Sequence, residues 1–371
     1  MTRWLQSPLI VHSDVYRRAA YNRDHPLSIP RVETAIDLCR ILGWTQDRMR
    51  ESPVASRTQL LKFHKSDYID ALQQSEQAGI TRTIDRETYN IGTRENPVFP
   101  GIFDRASTSV GGSILAAELA LAGRIAFHPA GGTHHGQPDR ANGFCFFNDP
   151  VFAILTLLEA GLQRIVYVDL DAHHGDGVED AFADEPRVFT LSMHEQGRWP
   201  GTGRLEDRRQ GRARNLPVPK RINDSEFEYL LEHAILPQVT RWQPEALVVT
   251  CGTDCLKGDP LSSMELSNVA LWRAVKSLTA LTEVSVILGG GGYNPWTLAR
   301  AWAGLWASLC DFPIPGRLPD AATRLLAGLS CDLIDDEGDI NPLWLTTLQD
   351  APNPGPVRDA IIAIAKATLA P

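Results

Sequence analysis

Short apolar, β-branched runs punctuate the chain at residues 9–11, 125–127, 165–168, 188–191, 247–250 and 284–288. Being continuous rather than alternating, they predict strands buried on both faces. Between them the apolar positions change to helical spacing. Val151, Ile154, Leu155 and Leu158 lie on one face, behind Asn148 or Asp149 as cap and Pro150 near the first helical position. Phe227, Leu230, Leu231 and Ala234 repeat the pattern after the cap candidates Asp224 and Ser225, and Leu266, Val269, Val275 and Leu278 predict a further helix. Strands alternating with helices make parallel βαβ units, hence an α/β fold with a parallel sheet.

No internal repeat and no Ser/Gly-rich linker divides the chain, so residues 1–313 read as one domain. From Phe312 the texture turns Pro-rich and then acidic (Asp335, Asp336, Glu337, Asp339), with Pro352, Pro354 and Pro356 before a last apolar helix. Residues 314–371 therefore read as a C-terminal extension packed on the main body.

Charge and composition remove several functions. Thirty-six Lys and Arg against forty-five Asp and Glu leave a net charge of -9, with no basic run. That excludes a nucleic-acid groove and an anionic membrane surface as partners. The longest apolar stretches, 113–123 and 301–310, fall short of the roughly 18 residues of a spanning helix, and residues 1–6 hold no apolar core of signal-peptide length. The expected location is the cytoplasm. Six cysteines in 371 residues are too few for a disulfide scaffold. Cys251 and Cys255, with no second pair, read as buried thiols.

The chemistry sits after the strands. Five of the ten histidines fall between His128 and His174, in HPAGGTHHG (128–136) and DLDAHHGD (169–176). Two more strands run into CGTD (251–254) and GGGGY (289–293). In an open parallel sheet, loops beyond the carboxyl ends of the strands converge on one crevice. Asp171 and His173, two apart on an extended segment, point the same way, and Asp254 completes a three-ligand set. Two carboxylates and an imidazole suit Zn²⁺ or Fe²⁺ with an open position for water. His134 and His135, being consecutive, suit proton transfer rather than joint ligation. Asp169 and Asp176 are the natural carboxylates to orient them, and Tyr293 can donate to a developing oxyanion. Together these spell metal-assisted hydrolysis of an amide or ester. The glycine run 289–292 lacks the G-x-G-x-x-G register of a dinucleotide loop.

The motifs HPAGGTHHGQPDRANGFCFFND (128–149), YVDLDAHHGDGVEDAF (167–182), PGTG (200–203), CGTDCLKGD (251–259) and GGGGY (289–293) resemble the zinc-dependent histone deacetylase family. The nearest group is its class I and bacterial acetoin-utilisation branch, and the likeness spans residues 9–313. The resemblance implies the arginase/deacetylase fold, a single three-layer α/β domain with a mostly parallel central sheet, and removal of acetyl groups from lysine side chains or related amines. It implies that Asp171, His173 and Asp254 bind metal, that His135 backed by Asp176 is the general base, that His134 paired with Asp169 is its electrostatic partner, and that Tyr293 polarises the acetyl carbonyl. Gly143, Phe144 and Trp199 resemble the walls of an acyl-lysine tunnel. Leu261 matches a residue at its mouth, Gly291 a substrate-binding position, and Arg31 an arginine lining an acetate exit route. A structural K⁺ would use Asp169, the Ser192 hydroxyl and main-chain carbonyls of Asp171, His173 and Met193.

The chain departs from the family in three places. Trp199 replaces a usual phenylalanine, Glu95 in GTRENP (92–97) stands where an aspartate normally meets the substrate main chain, and Gly175 replaces the second-metal aspartate of the arginases. Two rivals keep the same residues: an amidohydrolase of acetylpolyamines or other small amides, which the net acidity and Glu95 would suit, and a non-catalytic acyl-chain-binding protein. The acidity disfavours DNA-bound histone as a target.

Overall fold

The computed structural model describes residues 6–334 and 340–370. The first five residues, Pro371 and the acidic cluster Asp335, Asp336, Glu337 and Asp339 lie outside the described residues. Eight strands form one sheet: β1 (Gln6–His12), β2 (Met49–Glu51), β3 (Arg124–His128), β4 (Ile165–Asp169), β5 (Val188–Glu195), β6 (Ala213–Val218), β7 (Ala246–Thr250) and β8 (Val284–Leu288). Their order is β2-β1-β3-β8-β7-β4-β5-β6, and every pairing is parallel. The single-sheet α/β architecture is the one expected.

Side chains alternate across the sheet and so build two cores. Ile165, Tyr167, Ala246, Val248, Val286 and Leu288 face the helices Ile102–Leu121 and Asp149–Glu159. Val166, Val168, Leu247, Val249 and Ile287 face the other way, into the core that holds the helices Asn268–Thr279 and Pro295–Leu309. Burial on both faces explains why these strands are uniformly apolar.

Two strands lay beyond the hydrophobic pattern. β2 has three residues at one edge, and β6, at the other, reads ARNLPV. Edge position explains both, since Pro217 needs no ladder partner on its outer side. Arg214 crosses to the C-terminal helix Asp359–Leu369, where its Nε donates to the Thr368 carbonyl at 3.1 Å.

Local signals shift by a residue or two. Asn148, not Asp149, caps Asp149–Glu159, accepting from Val151 N–H. Asn223 caps Asp224–Leu230 through a capping box with Glu226. Asp224 is otherwise engaged, taking the Ser267 N–H and hydroxyl and the Asn353 N–H at 2.7–2.8 Å. Ser267 caps the next helix, so Leu266 precedes it.

The C-terminal segment is tied down by ions as well as apolar contact. Arg358 donates three times to the buried carboxylate of Glu226, from its guanidinium at 2.5 and 2.6 Å and from its backbone N–H at 3.1 Å. Among the described residues no helix is long and apolar enough to cross a membrane. The six cysteines are unpaired, five of them buried.

Candidate active site

The four strands that carry the polar loops, β3, β8, β7 and β4, are consecutive in the sheet. Their carboxyl ends therefore deliver four loops to one place. β4 ends at Asp169, whose Oδ1 accepts the Asp171 N–H at 3.1 Å and turns the chain. Asp171 and His173 thus sit on a bend rather than on an extended segment, correcting the sequence reading while leaving both side chains inward.

His173 Nδ1 lies 3.1 Å from Asp171 Oδ1 and 2.9 Å from Asp254 Oδ2. One ligand atom from each of the three falls within 4.8 Å of the others, and all three residues are buried. The Ala172 N–H donates to Asp254 at 2.9 Å and the Gly291 N–H to Asp171 at 2.6 Å. Glycine is required around them, because a side chain at Gly252 would run into Asp171 and one at Gly291 into Asp254. Burial disfavours a charged imidazole, yet the flanking carboxylates raise His173 to about 10. Burial and the neighbouring Asp171 push the Asp254 carboxyl up. Two buried carboxylates around one imidazole are a site poised for a cation. A side chain at Gly175 would meet the Asp169 carboxylate where it now sits, hydrogen-bonded to His134 and Tyr167.

The histidine loop after β3 is held by the cap of the following helix. Asp149 accepts from the Gly132 and Thr133 N–H groups at 3.0 and 2.8 Å, and the Asn148 amide donates to the His134 and Gly136 carbonyls. The two rings then meet different carboxylates. His134 Nδ1 is 2.7 Å from Asp169, which also accepts from the Tyr167 hydroxyl, and His135 Nδ1 is 2.6 Å from Asp176. Burial opposes charge on both. The charges of Asp169 and Asp171 overcome it at His134 and raise it to about 9, whereas burial and the charge of His134 lower His135 to about 4. One imidazole is held cationic and its neighbour neutral.

A cavity of about 640 Å³ opens above these groups. His135, His173, Gly143, Phe144, Trp199 and Tyr293 line it, with Glu95 and Leu261 further out. The Trp199 ring stands edge-on to His135 with centroids 4.6 Å apart, and it is 42% exposed, so it is a wall rather than core. Gly143 (φ 55°) and Phe144 (φ 66°) both take the left-handed conformation, freely for the glycine and with strain at Phe144, which a tight Asn142–Cys145 bridge holds in place. Glu95 is fixed, accepting from Gly143 N–H at 3.1 Å and from the Asn90 and Asn96 amides. Beneath the three buried donors lies a chamber of about 50 Å³ lined by Arg31, which donates to the Gly290 and Gly292 carbonyls and also reaches a neighbouring cavity beside Tyr21 and Arg105. Asp169 and Ser192 are register partners on β4 and β5, with Met193 next along β5.

Sequence reasoning missed several residues of this site. Asp259 accepts the Tyr293 N–H at 2.7 Å and so sets the backbone of that tyrosine. Its position in the 251–259 motif was the available signal. Glu195, Arg198 and Lys220 line the outer cavity, and no spacing pointed to them because they arrive from β5 and the unpredicted β6.

Comparison with known proteins gives a consistent result. The family profile described as "Histone deacetylase domain" matches residues 25–309. The chain is 33% identical over 323 residues to histone deacetylase 8 of Xenopus tropicalis, covering 84% of this chain and 86% of that protein. It is 32% identical over 322 residues to the acetoin utilization protein AcuC of Bacillus subtilis, covering 82% of each. Among solved structures, an HDAC homolog from Aquifex aeolicus superposes with a TM-score of 0.94 at 37% identity, covering 98% of this chain and 100% of that one.

Proposed function

The chain belongs to the histone deacetylase family, in its bacterial, acetoin-utilisation-type branch, and we propose that it is a zinc-dependent hydrolase that removes acetyl groups from lysine side chains. The observation that carries this reading is the meeting, at the base of one cavity, of a buried Asp171–His173–Asp254 set with two adjacent histidines, each hydrogen-bonded to its own carboxylate.

Asp171, His173 and Asp254 would hold the metal. Two carboxylates, one imidazole and the glycine-lined cradle around them fit Zn²⁺, with Fe²⁺ the alternative. When bound, a divalent ion supplies Lewis acidity and makes water nucleophilic at neutral pH. The residues do the rest. His135, neutral and oriented by Asp176, takes a proton from the attacking water and passes it to the departing lysine nitrogen. His134, held as a cation by Asp169, stabilises the negative charge that accumulates in between. Tyr293, placed by Asp259, donates to the oxyanion building on the acyl oxygen. Phe144, Trp199 and the bare backbone of Gly143 grip the lysine methylenes. Arg31 draws the acetate anion away beneath the site. Asp169, Ser192 and the nearby main-chain carbonyls would hold a structural K⁺.

An acyl-binding protein without catalysis would have no use for the His135–Asp176 pair. The test is turnover by the purified, zinc-loaded chain of acetyl-lysine peptides compared with N-acetylputrescine. Peptide hydrolysis is expected to dominate, and Tyr293→Phe and His135→Ala are each expected to lose about 10²-fold or more in kcat while retaining bound metal. Wild-type rates in either variant, or no turnover of any acetyl-lysine peptide, would refute the reading.

A further inference from the structure

The mouth of the cavity is not the acidic funnel that a net charge of -9 suggests. Its groups pair off. Glu195 accepts from Arg198 at 2.9 Å and from the Ser263 N–H at 2.7 Å. Arg198 also donates to the Leu261 carbonyl and the Ser263 hydroxyl, while its buried Nε meets no acceptor. Glu95 already holds one backbone N–H and two amides. Lys220 differs: it lines the same cavity, it is exposed, and its ammonium makes no hydrogen bond or close ion pair among the described residues, acting on Glu195 only through its longer-range charge.

Its backbone is nonetheless fixed. β6 pairs with β5 so that Val218 stands opposite Glu195, and the Gln196 N–H donates to the Val218 carbonyl at 2.8 Å. Arg358, already locked to Glu226, donates to the Lys220 carbonyl at 3.0 Å, and the Arg221 N–H donates to Ser263 at 2.9 Å. The lysine is thus anchored on both sides, at the end of the tunnel where a substrate's own charges emerge. Arg198 hydrogen-bonds Glu195 and Lys220 adds its charge to the field on the same carboxylate, so the mouth presents Glu95 and, opposite the Glu195–Arg198 pair, Lys220 as its exposed cation.

Resting on the deacetylase reading above, we propose that Lys220 is a specificity residue that selects acyl-lysine substrates carrying a carboxylate at the tunnel mouth and turns away cationic acetylated amines. The carboxylate has two sources, the α-carboxylate of free Nε-acetyl-lysine and the side chain of an acidic residue beside acetyl-lysine in a peptide.

The test compares kcat/KM within matched pairs: free Nε-acetyl-lysine against its α-carboxamide, and acetyl-lysine peptides whose next residue is Glu, Gln or Lys. The carboxylate member is expected to win by about fivefold at low salt, with the advantage fading as ionic strength rises. Lys220→Gln should bring the ratio to about one and Lys220→Glu should invert it, in proteins whose unfolding temperature matches the parent. An advantage confined to the free amino acid, or to the peptides, identifies the source. A wild-type ratio of one, or a ratio untouched by Lys220→Glu, overturns the proposal. Absence of all turnover would instead refute the deacetylase reading. Lys220 would then be judged by calorimetric binding of two linear hydroxamates ending in a carboxylate or a carboxamide, with equal affinities overturning it.

Discussion

Removing the metal, and then one of its ligands, separates binding from folding at the candidate site. In the metal-free chain Asp171 and Asp254 keep oxygens within 4.8 Å of each other, both residues fully buried. At an effective dielectric of about 20 their mutual repulsion is on the order of 3 kcal/mol, offset in part by a protonated His173 between them. A divalent ion reverses the sign. Present at about a thousand times its Kd, it stabilises the folded state by about 4 kcal/mol. A chain of 371 residues unfolds with an entropy of roughly 0.8 kcal/mol per degree, so the melting temperature rises by about 5 °C on loading. Asp254→Asn keeps the oxygen that accepts the Ala172 N–H and removes a charge. Calorimetric melting of chelator-treated protein is therefore expected to place Asp254→Asn level with wild type or about 2 °C above it, while the gain on adding Zn²⁺ drops below about 1 °C. A stripped variant melting more than about 3 °C below stripped wild type would refute the reasoning, as would a variant that keeps the full metal-dependent gain.

Two further substitutions probe the walls and the scaffold. Gly143→Ala places a methyl against the Trp199 ring and 2.7 Å from His135 Cδ2 at a backbone φ of 55°. A loss of kcat/KM of at least about tenfold is expected, partly recovered when Trp199→Leu is added, and unchanged kinetics would show the wall to be compliant. Buried His64 is lowered to about 3 by burial, with Nε2 accepting the Asn148 N–H at 3.1 Å. The unfolded chain takes a proton near pH 6.5 that the folded one refuses, so this residue's contribution is full above that pH and declines as pH falls toward 3. Urea unfolding is expected to show wild type losing about 2 kcal/mol more than His64→Gln between pH 7 and pH 5; equal losses would count against it.

The central strands and the loops that follow them were legible because burial on both faces demands unbroken apolar runs. Polar clusters after such runs then stand out, which is why Asp171, His173, Asp254, His134, His135 and Tyr293 could be grouped before any fold was known. The edges were not legible. β6 hides behind Arg214, Asn215 and Pro217, since one side of it answers to a covering helix rather than to another strand. The outer ring of Glu195, Arg198 and Lys220 depends on that strand. The helix cap at 223 was misread by one residue because Asp224, an equally good cap by type, is used to bind Ser267 and Asn353. Competition of that kind is decided by tertiary contacts.

The order β3-β8-β7-β4 has a bearing on how the proposed metal site would be filled. Neighbours in that sheet are strangers in sequence: Asp254 follows its partner His173 by 81 residues, and the β8 loop that braces Asp171 comes later still. At roughly 5–20 residues per second on the ribosome, about 4–16 seconds separate the emergence of the two. Until then the nascent chain would offer only two of the three proposed ligands, Asp171 and His173. Tight capture at the proposed site would await closure of the whole sheet, which would make loading a late step of maturation, governed by what the finished fold meets.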